Sequence, residues 1–266
     1  MKVGFIGAGN MASAMIGGIL NSKLLSPSNI IASAKTDKTL DNIKEKYKIN
    51  TTKDSIRVVK ECDIVVVAVK PNVYEEVLNE IKDYIDTEKI IVTIAAGISI
   101  KSVEKIIGND KKVIRTMPNT PALVNCGMSS LSPNKNIDKS DIDAVKTIFD
   151  SFGKSEIVDE SLIDVVIGAS GSSPAYAFMF IEAMADCVVS YGMKRDMAYE
   201  FCAQSLMGAA KMVLETKKHP GELKDMVCSP GGTTIEAVKT LEIEGMRSAI
   251  IKGMTSCIEK SIKMSK

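Results

Sequence analysis

Short apolar runs alternate with helical repeats through the first 160 or so residues of the chain. An apolar run without polar alternation is typical of a parallel strand that is covered on both faces. The predicted strands are Lys2–Ile6, Asn29–Ser33, Asp63–Val69, Lys89–Ala95 and Lys112–Met117. The helices predicted between them are Asn10–Leu20, Lys38–Tyr47, Asn72–Ile85 and Ser99–Ile107. This alternation predicts a doubly wound parallel sheet with right-handed crossovers.

The character of the sequence changes after about residue 160. Gly127–Ser132 and Ser155–Val158 are predicted as a last pair of strands on either side of helix Asp141–Phe152. Beyond them the periodicity is helical, with predicted helices at Pro174–Tyr191, Arg195–Glu215, Thr233–Glu242 and Met246–Lys263. We therefore predict an α/β protein in two domains, a doubly wound sheet at 1–160 and an all-α domain at 161–266.

The helical part is rich in Met and Ala and is apolar on more than one face. About 100 residues of this kind make a poor core alone, so we expect an intertwined dimer. The stretch Ala175–Tyr191 is apolar on most sides, but Glu182 and Asp186 interrupt it. We interpret it as a buried helix of a soluble protein and expect no membrane partner.

Composition and charge exclude several classes of function. The chain has 34 basic and 33 acidic residues and only 5% aromatic residues, which gives no electrostatic footprint for nucleic acid. A single histidine and six scattered cysteines without a CxxC pair argue against a zinc site, and we predict no metal. Several cysteines lie among apolar residues, which favours small buried side chains in a reducing cytoplasm.

A glycine-rich turn follows the first predicted strand. Gly7–Ala12 has the pattern G-x-G-x-x-A between a strand and a helix, the context that a dinucleotide-binding turn of a Rossmann-type domain requires. The first glycine permits the tight turn, the second lets the backbone approach a pyrophosphate, and the alanine allows close packing. We expect cofactor binding by Gly7, Gly9, Asn10, Met11 and Ala12; the alternative is a purely structural turn.

The end of the second strand bears on which dinucleotide binds. NAD enzymes place Asp or Glu there to bind the ribose hydroxyls. This chain has Ser33-Ala34-Lys35-Thr36 instead, and hydroxyls beside a cation suit the extra phosphate of NADP. We predict NADP (NADPH) bound by Ser33 and Lys35, with NADH left open as a second cofactor, and we interpret Asp37 as a solvated residue at a helix start.

A second informative stretch is Ser229–Glu236 (SPGGTTIE). Thr233 and Glu236 have the spacing of a capping box, which predicts a helix start near Thr233. Two preceding glycines leave backbone N–H groups open, and the helix dipole adds positive potential. Such a corner suits a small carboxylate, with the Ser229, Thr233 and Thr234 hydroxyls as further donors; an ordinary helix–helix turn is the alternative.

The chain resembles pyrroline-5-carboxylate reductase, the last enzyme of proline synthesis, over nearly its whole length. The matching stretches are Ile6–Ala12, Val69–Pro71, Ala95–Gly97, Arg115–Pro121, Ser170–Tyr176 and His219–Thr234. The resemblance implies that the nicotinamide is bordered by Val69, Lys70, Pro71, Ala95, Ala96, Gly97, Met117, Pro118 and Asn119. It also implies that the helical domain, of a partner subunit, holds 1-pyrroline-5-carboxylate through Ser229, Gly232, Thr233 and Thr234.

The chain departs from the family pattern at two positions. The family commonly has Gly where this chain has Ser173, and Asn where it has Ser55. That Asn helps to bind the adenosine end of the cofactor, so a cofactor contact of Ser55 is open. The resemblance further implies a homo-oligomer and leaves open whether dimers assemble to a decamer.

The resulting hypothesis is hydride transfer from NADPH to the cyclic imine, with the protein supplying orientation and charge placement. Thr234 is the candidate for assisting the ring nitrogen. Lys70 is a second catalytic candidate, with pairing to a neighbouring carboxylate as the alternative. His219, which precedes a proline, is interpreted as a turn residue.

The sequence leaves two rival functions open. A 3-hydroxyacid dehydrogenase of the same architecture would need a catalytic Lys on a helix of the second domain, where Lys194 and Lys211 are available without a matching motif. The other rival is a non-catalytic NADP-binding regulator whose helical half only dimerises.

Overall fold

The computed structural model describes residues 1–264 and contains one eight-stranded sheet. Its strand order is β3-β2-β1-β4-β5-β6-β7-β8. The strands are β1 Val3–Ile6, β2 Ile30–Ser33, β3 Asn50–Thr52, β4 Ile64–Val67, β5 Ile90–Thr93, β6 Lys112–Met117, β7 Gly127–Pro133 and β8 Gly153–Ile157. The first six strands are parallel, which confirms the predicted doubly wound sheet.

The last two strands depart from the parallel pairing of the first six. β7 pairs antiparallel with β6, with Met117 opposite Ser130, and β8 runs parallel to β7. The physical reason is the short connection. A 3₁₀ turn at Thr120–Val124 and a left-handed Asn125 (φ 58°) return the chain directly beside β6, and antiparallel neighbours need no crossover helix.

Twelve α-helices are described. They are α1 Asn10–Asn21, α2 Asp37–Tyr47, α3 Ser55–Glu61, α4 Tyr74–Ile81, α5 Ile100–Ile107, α6 Lys139–Asp150, α7 Ile163–Val166, α8 Ser173–Ser190, α9 Arg195–Thr216, α10 Pro220–Val227, α11 Thr233–Ile243 and α12 Met246–Met264. A π-helical turn, Ile167–Gly171, joins α7 to α8.

The core of the sheet lies on both of its faces. Side chains from one face of the strands pack with α1 and α6, and those from the other face pack with α3, α4 and α5. The central strand β4 is buried along its whole length, which explains why its sequence is continuously apolar. Two of the six cysteines, Cys62 and Cys202, are buried, whereas Cys126 and Cys187 are exposed.

The chain divides into two compact units. The sheet unit comprises Met1–Ser172 with Cys257–Lys266, and the helical unit comprises Ser173–Ser256. The prediction that Ala175–Tyr191 is a buried helix is wrong within this chain, because α8 buries only Ala185 and leaves Phe178 64% exposed. The stretch Glu160–Ser190, which contains α7, the π-helical turn and α8, is long and apolar enough to cross a membrane by length and composition alone.

Candidate active site

The candidate site of the sheet unit lies at the carboxyl edge of the parallel strands. Ile6 at the end of β1 pairs with Ser33 of β2 on one side and with Val67 of β4 on the other. The strand order reverses between β1 and β4, and ligands of doubly wound sheets bind outside the strand ends at such a reversal. The predicted cofactor residues of the sheet unit lie at the last positions of strands that end at this edge or in the segments that follow them.

The Gly7–Gly9 turn begins this edge. Gly7 has a φ of +97°, and a Cβ added there would lie 2.6 Å from the Ala68 carbonyl oxygen. Its N–H donates to the Ser33 carbonyl at 2.9 Å. Only glycine fits such a left-handed, crowded position, so Gly7 allows the loops after β1 and β4 to approach each other.

The N-terminus of α1 is open toward solvent. Gly9 is its extended N-cap residue, no side chain caps the helix, and a Cβ on Gly9 would meet nothing within 4 Å. The first N–H groups of a helix lack intrahelical acceptors, and together with the helix dipole they attract phosphate. Next to them lies a cleft of about 340 Å³, lined in part by Ala8, Asn10 and Asn42. This open cradle fits the pyrophosphate of a dinucleotide. Met11 is partly exposed, and Ala12 is buried beneath the turn.

The residues after β2 divide into buried and exposed groups. The side chain of Ser33 is buried, with only 2% of the residue exposed, so Ser33 contributes to the edge mainly through its backbone. Thr36 caps α2, with its Oγ1 accepting from the Thr39 N–H at 3.4 Å. Lys35 extends into solvent and pairs with Glu76 at 3.1 Å. Asp37 is the exposed first residue of α2, as predicted, and pairs with Lys53.

Ser55 begins a helix that the sequence did not predict. Asp54 caps α3 by accepting from the Ile56 and Arg57 N–H groups, and Ser55 is the first residue of this helix, partly exposed. The position follows the edge strand β3, on the β2 side of the sheet.

The loop after β4 carries Val69, Lys70 and Pro71. Lys70 is exposed, and its ammonium group has no carboxylate partner among residues 1–264, so the alternative of a structural ion pair is not seen. Beneath this loop the buried Tyr74 hydroxyl donates to the Val67 carbonyl at 3.4 Å. Burial raises the pKa of Tyr74, so this phenol stays neutral.

The loops after β5 and β6 complete the edge. Ala95 is buried, Ala96 and Gly97 are partly exposed, and Gly97 has a φ of +76°. Met117 and Pro118 are buried. The side chain of Asn119 is committed to structure, because its Oδ1 accepts from the Met128 N–H at 2.8 Å and its Nδ2 donates to the Ser170 carbonyl at 3.0 Å.

An ion pair between a buried arginine and a partly exposed glutamate, which the sequence did not reveal, supports these two loops. Arg115 of β6 is 5% exposed and pairs with Glu160 at 3.0 Å. The same carboxylate oxygen accepts from the Ile100 N–H at the start of α5 at 2.8 Å. The helix α5 follows the Ala95–Gly97 loop, and Arg115 lies in the strand that leads to Met117. Glu160 therefore connects the segment after one loop to the strand before the other.

The Ser229–Thr234 loop belongs to the helical unit and precedes α11. The helix begins at Thr233, as predicted, but the predicted capping box is wrong. Gly232 is the N-cap residue, so Thr233 lies one position too far into the helix to cap it, and Glu236 is 3.7 Å from Lys239 instead. No side chain caps α11, which leaves its first N–H groups open.

The shape of this loop is set by its two glycines. Gly231 has a φ of +68°, and the Gly232 N–H donates to the Ser229 carbonyl at 3.0 Å. Ser229 and Thr233 are exposed and Thr234 is partly exposed, so their hydroxyls are accessible around the helix start. The arrangement offers backbone and hydroxyl donors to a small carboxylate.

His219 has a structural role. It is the N-cap residue of α10, a helix that the sequence did not predict, and its Nδ1 accepts from the Gly221 N–H at 3.0 Å. This contact is consistent with its interpretation as a turn residue. Within the described residues, no group of three or more His, Cys, Asp or Glu side chains is placed to hold a metal ion.

Two family models match the chain. Residues 2–97 match the family described as NADP oxidoreductase, coenzyme F420-dependent. Residues 160–264 match the family described as pyrroline-5-carboxylate reductase dimerisation.

Relatives of similar length match the chain from end to end. It is 49% identical over 265 residues to the pyrroline-5-carboxylate reductase of Escherichia coli (strain K12), covering 100% of this chain and 98% of that protein. A solved pyrroline-5-carboxylate reductase from Coxiella burnetii is similar with a TM-score of 0.93 at 33% identity, covering 100% of this chain and 98% of that one. The Plasmodium falciparum pyrroline carboxylate reductase, solved with NADP bound, has a TM-score of 0.89 at 32% identity over the same shares.

Proposed function

Because this chain belongs to the pyrroline-5-carboxylate reductase family, we propose that the N-termini of α1 and α11, each preceded by a glycine, bind the cofactor and the substrate of that family's reaction. The chain is an NADP-dependent oxidoreductase that reduces 1-pyrroline-5-carboxylate to L-proline. One feature of both units supports this assignment of a cofactor site and a substrate site. Gly9 before α1 and Gly232 before α11 are extended N-cap residues, and neither helix has a side-chain cap.

The sheet unit is proposed to hold the cofactor. The α1 N-terminus and the backbone of Gly7 and Gly9 take the pyrophosphate, and Lys35 with the Ser33–Thr36 segment takes the adenosine end and its 2′-phosphate. The loops after β4, β5 and β6 border the nicotinamide. When bound, NADPH supplies the hydride that reduces the imine carbon.

The helical unit is proposed to hold the substrate. The uncapped N–H groups of α11 and the Ser229 and Thr233 hydroxyls bind its carboxylate, while the Thr234 hydroxyl lies near the ring nitrogen. Lys70 is proposed to contact the substrate or the cofactor carboxamide. The chain's contribution to the rate is then orientation and charge placement, without a paired acid and base.

We further propose that the Ser229–Thr234 loop of one chain (the substrate loop) and the carboxyl edge of the partner's sheet form one active site in a homodimer. The match of residues 160–264 to a dimerisation family and the exposed apolar helices of the helical unit support this. Packing against a second copy also accounts for the exposed face of α8 without a membrane. Cytoplasmic location and assembly of dimers to a decamer are further proposals, and a sedimentation experiment tests the latter.

The rival dehydrogenase has little support in the described residues. Of its catalytic Lys candidates, Lys194 is the exposed N-cap residue of α9, and Lys211 lies 3.6 Å from Glu215 on an exposed helix face. The match to an oxidoreductase family and the 49% identity to a pyrroline-5-carboxylate reductase point away from a non-catalytic regulator.

The test is cofactor oxidation with defined substrates. We expect the purified enzyme to oxidise NADPH when 1-pyrroline-5-carboxylate is added and to form L-proline in equal amount. Keto acids, or hydroxyacids with the oxidised cofactor, should give no turnover. Turnover with hydroxyacids alone, or NADPH binding without turnover of any of these compounds, would contradict the proposal.

A further inference from the structure

The ion pair between Lys35 and Glu76 joins the two sides of the proposed adenosine site. Lys35 follows β2, and Glu76 lies in the first turn of α4, which follows β4. β2 and β4 flank β1, so their ends are about 10 Å apart, twice the spacing of neighbouring strands. The pair therefore bridges this gap beside the Gly7–Gly9 turn.

Lys35 is the exposed cation closest in sequence to the end of β2, where a dinucleotide places its ribose 2′ position. The nearby Lys53 is already paired with Asp37. Lys35 Nζ lies 3.1 Å from Glu76 Oε1, and both side chains are mostly exposed. A 2′-phosphate would need the same ammonium group, and the Glu76 carboxylate would also repel it.

We propose that Glu76 is a specificity-determining residue that competes with the 2′-phosphate for Lys35 and so lowers the enzyme's preference for NADPH over NADH. This inference rests on the proposed function of the β2 end. NADPH binding exchanges the carboxylate partner of Lys35 for a phosphate. NADH brings no such phosphate, so Glu76 has little effect on its binding.

The structure supplies a matched control for Glu76→Gln. Glu75 precedes it in the same first turn of α4, carries the same charge and is exposed, but it makes no ion pair with a described residue. Glu75→Gln removes an equal charge from the same helix N-terminus without releasing Lys35. Lys35→Met, alone and combined with Glu76→Gln, tests whether the effect passes through Lys35.

The test is calorimetric titration of each intact variant with NADPH and with NADH at low ionic strength. We expect Glu76→Gln to bind NADPH about fivefold more tightly, while its affinity for NADH changes by less than about twofold. Glu75→Gln should change neither affinity by more than about twofold. In the Lys35→Met background most of the gain should disappear, and added salt should reduce the gain in the Lys35 protein because both charges are exposed.

An unchanged NADPH affinity in Glu76→Gln would overturn the inference, as would an equal gain in Glu75→Gln or an equal gain for NADH. If the wild-type enzyme reduces its substrate with NADPH while Glu76→Gln behaves like wild type, only the inference fails. If wild type bound neither cofactor, the proposed function would fall and the inference with it.

Discussion

The two units of this chain bury their apolar side chains to very different degrees. The sheet unit has extensive apolar clusters on both faces of its sheet, with aromatic side chains such as Phe149 and Phe152 fully buried. The buried cluster of the helical unit consists of Ala185, Ala198 and Cys202. Many of its large side chains are exposed, such as Phe178 at 64% and Met179 at 70%.

This difference indicates where each unit obtains its stability. Buried apolar area is the main source of folding free energy, and the sheet unit supplies its own. Large exposed apolar patches are characteristic of association surfaces, so the helical unit is expected to complete its core with a second copy of the chain.

The largest effect should come from a cavity in the sheet unit. Phe152 packs on Phe149, with ring centroids 5.2 Å apart, and a Cβ on Gly18 would lie within 2.3 Å of its Cβ. Phe152→Ala should lower the free energy of unfolding by about 3–5 kcal/mol, whereas Phe152→Leu should cost about 1–2 kcal/mol. Urea unfolding followed by circular dichroism measures both, and a loss below about 1 kcal/mol for the alanine variant would contradict a self-sufficient core.

A charge on the helical unit should act on assembly instead. Phe178→Asp is expected to raise the dimer dissociation constant by roughly 100-fold or more, because a carboxylate cannot be desolvated in an apolar interface. Activity should fall with the fraction of dimer. Sedimentation measures the association state, and Phe178→Leu is the control that keeps the surface apolar. An Asp variant that remains dimeric would show that α8 is not part of the interface.

Substitutions at Gly4 of β1 and at Gly9 of the following turn should separate an effect on stability from an effect on cofactor binding. Gly9→Ala adds a methyl group to open space at a φ of −78°, so its melting temperature should not change, while NADPH binding weakens by about 10- to 100-fold. Gly4→Ala should do the reverse, because its Cβ would lie 2.4 Å from Val58 Cγ1 in the core. Thermal melts and titration calorimetry of both variants measure the two effects, and an unchanged NADPH affinity in Gly9→Ala would contradict a phosphate cradle at this turn.

The smallest of these effects is expected from the substrate loop. Thr234→Ala should lower turnover by about tenfold with little change in NADPH affinity, because one hydroxyl near the ring nitrogen is lost. Steady-state kinetics with each substrate varied measures the two quantities separately, and Thr234→Ser should retain most of the turnover. Unchanged kinetics in the alanine variant would take Thr234 out of the mechanism.

The fold was largely predictable where the pattern is local and apolar. The continuous run Asp63–Val69 marks β4, observed at Ile64–Val67, and the helix starting at Thr233 was placed correctly. β3 was missed because Asn50–Thr52 is a short polar strand at the sheet edge. α3 was missed because it spans only seven residues, Ser55–Glu61.

The loops of the candidate site were predictable from the sequence, but the long-range contacts that hold them were not. The glycines at Gly7 and Gly9 follow a local rule, and the topology brings the strand ends together. The Arg115–Glu160 pair and the contact of Asn119 with Ser170 join residues 45 and 51 positions apart, and no periodicity signals such contacts. The predicted capping box is wrong because the N-cap is Gly232 and not Thr233. The spacing of Thr233 and Glu236 alone does not locate a helix N-terminus to within one residue.

The most direct test of a site shared between two chains is subunit complementation. Gly9→Val, defective in the cofactor cradle, and a variant with Ser229, Thr233 and Thr234 all changed to Ala are each expected to be nearly inactive. After the two are dissociated together and reassembled, about half of the dimers are mixed, and one site in each mixed dimer combines an intact cradle with an intact loop. We expect recovery of about a quarter of wild-type activity. If each chain used its own loop, every site would keep one defect, and the mixture would be as inactive as its components.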